Sequence, residues 1–261
     1  MTSEIVLTSI DARGLATVTL NRPEVHNAFD DALITALIQT CERLAHDPAV
    51  RIVLLTGAGA SFSAGGDLNW MRRTGDYSYE KNFADAAELG RLMYLLDNLP
   101  KPTVARVHGA VFAGGIGLVA CCDIAVADQE SVFCISETRL GLVPAVISPY
   151  LVRAMGPRAA RRYFLTAERF SAVEARRLGL VHEAVPAADL DTTIARLVSA
   201  VLEGATGAQA RSKRLIAEVA ERPIEASVID VTVRAIAEAR ASDEAREGLE
   251  AFFAKRKPRW R

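Results

Sequence analysis

Two stretches of this sequence put small residues where a strand hands over to a helix, and such places can do chemistry. The first is Phe62-Ser63-Ala64-Gly65-Gly66-Asp67-Leu68, and the second runs from His108-Gly109 through Ala113-Gly114-Gly115 to Gly117. A turn without bulky side chains at a helix N-terminus exposes backbone N–H groups, and the helix dipole adds positive charge there. Two such groups aimed at one oxygen make an oxyanion hole, which stabilises charge developing on a carbonyl. The same glycines also serve the plainer need of a tight strand-to-helix turn. The pattern by itself leaves both readings open.

Other chemistries find less support. The histidines stand at 26, 46, 108 and 182, scattered, with no H-x-x-x-H pair and no Cys/His cluster to cage a metal. Each reads as a surface or loop residue, and no metal site is expected. No G-x-S-x-G elbow or G-x-x-x-x-G-K-[ST] loop is present, and Gly57-x-Gly59-x-x-Phe62 lacks the third glycine of a dinucleotide fingerprint. Covalent and metal-assisted mechanisms start at a disadvantage.

The elements that must carry these turns follow from periodicity. Residues 4–10 and 14–20 are β-rich runs separated by Asp11-Ala12-Arg13, a hairpin signal. Asp30 or Asp31 can cap a helix to about Ala45, whose Leu33, Leu37, Ile38, Cys41 and Leu44 recur at helical spacing. Residues 51–56 form a continuous apolar run, as buried strands do. A helix is expected over 79–98, a strand over 103–107, a turn over 109–115 followed by a helix, and strands over 123–127 and 131–136. Four helices, 187–203, 205–221, 224–240 and 242–255, close the chain. The alternation argues for α/β architecture with helix-covered sheets and a helical C-terminal appendage.

Composition excludes several classes. With 261 residues, 50% hydrophobic, the chain can bury a sizeable core and is not disordered. Thirty-one basic against 32 acidic residues leave a net charge of −1, which argues against a broad nucleic-acid-binding face. The four cysteines, at 41, 121, 122 and 134, form no C-x-x-C pair and read as buried thiols of a reducing compartment. The uncharged run Gly109 to Cys122 is short of the roughly 20 residues that span a bilayer. The Met-Thr-Ser-Glu start has no signal-peptide character, so a cytoplasmic location is expected. Five of the last seven residues are Lys or Arg.

The ordered set of motifs resembles the enoyl-CoA hydratase/isomerase, or crotonase, family over essentially the whole chain. It comprises Leu20-Asn21-Arg22-Pro23 with Asn27-Ala28, the 62–68 turn, Lys101-Pro102, His108 to Gly117 and Cys122-Asp123-Ile124-Ala125. Phe133-x-x-x-Glu137 to Pro144, Ala175 to Val181 and the ending Glu247-Gly248-Leu249 with Phe252, Lys255, Arg256 and Pro258 complete it. The resemblance implies a spiral of repeated ββα units over 1–200. It also implies a C-terminal helical region over 201–261 that forms a trimer, or a hexamer as a dimer of trimers, and completes the coenzyme A site. It implies an acyl-CoA substrate, with no cofactor beyond the coenzyme A that the substrate carries. The oxyanion donors would be the N–H groups of Gly66 and Gly114. His26, Ala28, Ala64, Asp67 and Leu68 would line the coenzyme A pocket, and Lys255 or Arg256 would reach the nucleotide phosphate, often that of a neighbouring subunit.

One departure matters. The family's hydratases carry a glutamate on the helix after the second turn and another in the F-x-x-x-E segment. Here the second is Glu137 and the first position is Gly117. A single carboxylate can deprotonate a water attacking Cβ and return the proton to Cα, or shuttle one proton between Cα and Cγ. Residues Ile135 to Tyr150 and Gly114 to Ala120 resemble a bacterial subgroup assigned as methylglutaconyl-CoA hydratases, enzymes of leucine degradation, in which that first position is also commonly small. A distal substrate carboxylate wants a cation, and Arg139, Arg72 and Arg73 are candidates. The expected activity is a hydro-lyase of fatty acid metabolism, an enoyl-CoA hydratase for a branched or carboxylated thioester such as 3-methylglutaconyl-CoA. The alternatives are a Δ3,Δ2-enoyl-CoA isomerase and a non-catalytic acyl-CoA- or RNA-binding relative. RNA binding would need basic residues interleaved with aromatics, and aromatic content is 6%. No nucleic-acid or membrane partner is expected.

Overall fold

The N-terminal runs pair as an antiparallel hairpin, β1 (Val6–Ile10) and β2 (Leu15–Leu20), in a computed structural model that describes residues 4–261. Asp11 closes the turn, its carboxylate accepting from the N–H groups of Arg13 at 2.8 Å and Leu15 at 3.0 Å. From β2 onward the sheet is parallel. β3 (Ile52–Gly57), β4 (Thr103–Val107), β6 (Ile124–Asp128) and β9 (Glu183–Val185) extend it in the order β1-β2-β3-β4-β6-β9. A second sheet of β5 (Ala110–Phe112), β7 (Val132–Cys134) and β8 (Phe170–Ser171) stands beside it.

Apolar patterning decides which face each helix covers. α1 (Asp31–His46) is capped by the Asp30 carboxylate, which accepts from Leu33 N–H at 2.8 Å, and it buries Leu33, Leu37, Ile38, Cys41 and Leu44. α3 (Tyr79–Asp97) packs beside it through Leu92, Met93 and Leu96. On the opposite face of the large sheet, α7 (Ala187–Leu202) sets Leu190, Ile194, Val198 and Leu202 on Ile52, Leu54, Val104 and Val126. Full burial of each such side chain contributes about 1.5–3 kcal/mol. All four cysteines are buried and free, as the composition suggests.

The chain winds as a spiral of ββα turns. From a strand of the large sheet it crosses to the small sheet and then enters a helix. β3 leads to a parallel bridge at Ser63 and then α2 (Leu68–Gly75). β4 leads to β5 and α4 (Gly114–Cys121). β6 leads to β7 and a 3-10 turn, Glu137–Leu140. α5 (Ser148–Thr166, broken at Gly156–Pro157) and α6 (Ala172–Arg177) follow, and α8 (Thr206–Val219), α9 (Ala226–Ala241) and α10 (Asp243–Phe253) form the end. The α/β spiral with helical C-terminal elements is thus as expected. One local expectation is corrected: 109–115 is not only a turn, because residues 110–112 ladder with β7 between Gly109 and Ala113. Gly109 has φ +61 and a Cβ there would stand 1.9 Å from the Ala60 carbonyl, so glycine is required.

A buried amide fastens the first of these turns. Asn27, fully buried, donates to the carbonyls of Ala58 at 2.9 Å and Ser61 at 2.8 Å and accepts from Arg22 N–H at 2.9 Å. Ser63 Oγ donates to the Asn27 carbonyl at 2.9 Å, and Ala64 N–H to that of His26 at 3.0 Å. Replacing Asn27 with Ala strands two carbonyls and an N–H away from water. We expect a loss of about 3 kcal/mol in unfolding free energy, measured by urea denaturation.

Candidate active site

Strand register brings the three sequence motifs together. Ser63 bridges Val111 in parallel, and Val111 pairs with Phe133 in parallel. All three segments therefore leave the small sheet at one end. Gly66, Gly114 and Glu137 lie a few residues beyond that common register.

The Gly66 N–H is turned outward by pairing on its other side. Phe29 N–H donates to the Gly65 carbonyl at 2.7 Å, and Asp67 N–H donates to the Phe29 carbonyl at 2.7 Å. Successive N–H groups of an extended chain alternate direction, so the one between them faces away from Phe29. Gly114 opens α4, where the first N–H groups of any helix lack an internal acceptor. Neither amide donates to a described residue. The Phe29 ring also supports the second glycine, 3.3 Å from where a Cβ on Gly114 would stand. Ala113, just before it, holds φ +46 and ψ −119, a conformation costing an alanine about 1–3 kcal/mol. Its N–H is anchored on the Cys134 carbonyl at 3.0 Å.

Asp67 caps α2 rather than facing outward. Its carboxylate accepts from Asn69 N–H at 2.8 Å and Trp70 N–H at 3.2 Å, and pairs with Arg22 at 3.2 Å. Burial raises its pKa, but these N–H groups and the guanidinium outweigh that and hold it below the ordinary value. Arg22 also reaches the α1 cap Asp30 at 2.9 Å and the Ala28 carbonyl at 2.7 Å, tying the 22–28 segment to both helix starts. The sequence alone gives neither Arg22 nor Asn27 a task, although the Asn21-Arg22-Pro23 and Asn27-Ala28 motifs mark the segment.

Glu137 opens the 3-10 turn, and its Oε2 is buried without a hydrogen-bond partner. Burial pushes its pKa up, offset only in part by its own backbone N–H. Position 117, where the family's other glutamate would sit, is walled off. A Cβ on Gly117 would stand 2.3 Å from Ile147 Cγ2 and 3.1 Å from Met93 Cε. These two apolar neighbours come from distant segments, Ile147 from within the 135–150 stretch, and neither spacing nor type marks them as partners of Gly117.

The remaining expected residues divide. His26 (φ +53) hydrogen-bonds Ser61 Oγ through Nδ1 at 3.1 Å, Ala28 is buried, and Ala64 and Leu68 flank the Gly66 turn, with Leu68 exposed. Lys255 and Arg256 follow the end of α10. Arg256 is bidentate on Glu247, at 2.6 and 3.1 Å, and no hydrogen bond joins either residue to the glycine turns. Arg73 pairs with Asp31 at 2.6 Å and Arg72 with Asn69 at 3.1 Å, whereas Arg139 is exposed without an ion pair among the described residues. No group of three or more His, Cys, Asp or Glu is arranged to hold a metal among the described residues, and no helix there is long and apolar enough to cross a membrane.

Two outward amides and one half-buried carboxylate, each a few residues past the shared register of the small sheet, are groups that can polarise a carbonyl and move a proton. Known proteins resemble the chain over most of its length. The enoyl-CoA hydratase/isomerase family model matches residues 11–261, and the chain belongs to that family. The crystal structure of an enoyl-CoA hydratase from Shewanella pealeana is 44% identical and covers 99% of this chain and 97% of its own, with a TM-score of 0.96. An enoyl-CoA hydratase structure from Mycobacterium smegmatis is 36% identical, covers 99% of both chains and has a TM-score of 0.92. The hydroxycinnamoyl-CoA hydratase-lyase of Pseudomonas fluorescens is 35% identical over 195 residues, 73% of this chain and 70% of that one.

The raised carboxyl has a stability consequence. The folded state holds the Glu137 proton more tightly than the unfolded chain does. Below the ordinary Glu value of about 4.3 both states are protonated and nothing is lost. As pH climbs through the folded value, ionisation in the buried site costs stability. Glu137→Gln should therefore melt higher than wild type at pH 7.5, with the difference shrinking toward zero near pH 4, by differential scanning calorimetry.

Proposed function

We propose that this protein is an enoyl-CoA hydratase that adds water reversibly across the α,β double bond of a branched or carboxylated enoyl thioester, 3-methylglutaconyl-CoA being the best example. The observation that carries the reading is the Glu137 Oε2, buried without a partner, on a segment in register with the two whose amides stay unpaired. In this reading the thioester oxygen accepts from Gly66 and Gly114, which draws electrons from Cβ. Glu137 takes a proton from water as the oxygen bonds to Cβ. The same carboxyl then returns a proton to Cα as the enolate collapses, and atoms and charge balance. A pKa lifted toward working pH suits a group that must both take and give that proton. Each oxyanion donor is worth about 3–4 kcal/mol of barrier in comparable sites.

The substrate class rests on the likeness of segments 135–150 and 114–120 to methylglutaconyl-CoA hydratases, and on Arg139, which has no ion-pair partner among the described residues to compete for a distal carboxylate. The pocket for coenzyme A takes in His26, Ala28, Ala64, Asp67 and Leu68, the aspartate contributing through its backbone because its carboxylate is spent on α2. No metal or further cofactor enters the scheme.

A second reading has its own observation. Ile147 fills the space at Gly117, so one carboxylate must do all the proton work. That suits Δ3,Δ2-isomerisation, in which Glu137 carries a proton between Cα and Cγ. The two readings predict opposite signals at the conjugated thioester band. Absorbance should fall when crotonyl-CoA or 3-methylglutaconyl-CoA is added, and a rise with 3-hexenoyl-CoA would favour isomerisation. Glu137→Gln should lower kcat by about 100-fold or more in either case, and retained activity would remove Glu137 from the mechanism.

We further propose that residues 201–261 join copies of the chain into trimers or dimers of trimers. Ile229, Val233 and Ile236 recur on α9 at helical spacing, and all three are exposed, as are Phe252 and Phe253 on α10. In that assembly Lys255 or Arg256 would serve a neighbour's nucleotide phosphate. Light scattering should return three or six times the 28.1 kDa chain mass, and a monomer mass would sink the proposal.

A further inference from the structure

α2 and the first half of α3 stand apart from the packing that holds the rest of the spiral. α2 buries no residue, and α3 buries only Leu92, Met93 and Leu96 near its C-terminal end. Tyr79 and Phe83, on the first turns of α3, are 77% and 66% exposed. Apart from the partly buried Trp70 and Leu89, little apolar packing sets where this arm lies. Among the described residues one side-chain hydrogen bond joins the two helices: Trp70 Nε1 donates to Asp85 Oδ1 at 3.1 Å.

Trp70 is also the residue that meets the glycine turn. A Cβ on Gly66 would stand 3.6 Å from Trp70 Cε3 and 3.2 Å from Met71 Cγ and Sδ. The ring is half-buried, with one side packed against the main core. Its backbone N–H is fixed by the Asp67 cap, at 3.2 Å, so the indole and the Gly66 amide belong to one rigid start of α2. Since the indole N–H is spent on Asp85, the ring has no donor left for a ligand. What it offers beside Gly66 is apolar surface.

We propose that Trp70 is the apolar wall of the acyl site and that its hydrogen bond to Asp85 fixes the depth of that site by holding the exposed half of α3 over it. Trp70 is then a specificity determinant and Asp85 a positioning residue. The proposal rests on the acyl-CoA reading above and deepens it: the ligand selected is a short or branched acyl group, and a straight ten-carbon chain meets the clamped arm. Breaking the clamp lets α3 swing outward, which admits the longer chain without touching Glu137 or either amide.

The test compares wild type with Trp70→Phe, Asp85→Leu and Asp85→Asn, the last keeping an oxygen acceptor for the indole. Turnover is measured on crotonyl-CoA and trans-2-decenoyl-CoA, and binding of butyryl-CoA and decanoyl-CoA by calorimetry. Trp70→Phe and Asp85→Leu should shift the four-carbon to ten-carbon ratio of kcat/KM at least 10-fold toward the longer chain. The change should lie mainly in KM, with the binding ratio moving in parallel, and Asp85→Asn should restore the wild-type ratio. Ratios that stay constant across all four proteins while melting temperatures fall would reduce the clamp to a structural contact and overturn the proposal. So would an Asp85→Asn shift as large as that of Asp85→Leu. A wild type that binds acyl-CoA without turning it over, with the binding ratio still shifting, would sink the hydratase reading and leave the clamp standing. A wild type that binds neither acyl-CoA would sink both.

Discussion

A folded chain ordinarily pairs its half-buried backbone N–H groups, because leaving one without a partner costs about 1–3 kcal/mol. Here Gly66 and Gly114 both remain unpaired, each three residues past a shared strand register, and much of the spiral can be understood as what keeps them so. The Gly66 turn is held open by Phe29, which engages the Gly65 carbonyl and the Asp67 N–H and leaves the middle amide no choice of direction. The Gly114 turn is held by Ala113 in a conformation that alanine disfavours, pinned to Cys134. Strand register couples the two, since Ser63, Val111 and Phe133 are neighbours across one small sheet.

The charges around these amides serve the same end. A carboxylate at Asp67, next in sequence to Gly66, would oppose negative charge growing on a bound oxygen. That carboxylate is instead absorbed by the α2 start and by Arg22, a part-buried guanidinium shared with Asp30. The positive ends of α2 and α4 can then act on the oxygen with little local anionic competition. The same arginine and the buried Asn27 hold the 22–28 segment in place, so Coulombic balance and loop position depend on one small network.

Much of this was legible in the sequence where the signal is local. The hairpin, α1 with its Asp30 cap, the apolar run of β3 and the four C-terminal helices are each written in periodicity and capping residues within one window. The two glycine turns were legible for the same reason. β5 was not: three residues cannot show alternation, and their strand character exists only through pairing with β7, about twenty residues on. The Trp70–Asp85 bond and the Ile147 contact at Gly117 are invisible for a related reason. Each depends on how separate elements pack, and neither tryptophan, aspartate nor isoleucine is unusual where it stands.

The apolar filling of position 117 bears on how one carboxylate can suffice. Two carboxylates sharing a water raise each other's pKa by repulsion, which keeps one protonated as an acid while the other serves as base. With Gly117 against Ile147 and Met93 that device is gone. In the proposed mechanism Glu137 is tuned chiefly by desolvation, and its Oε2 is buried without a partner. A carboxylate tuned this way is a stronger base and, once protonated, a weaker acid than a solvated one, which draws taking and returning a proton closer to balance. The cost appears as a destabilising ionised group at neutral pH. The stability to carry it comes from the same packed sheets and helices that hold the two amides apart from any carbonyl.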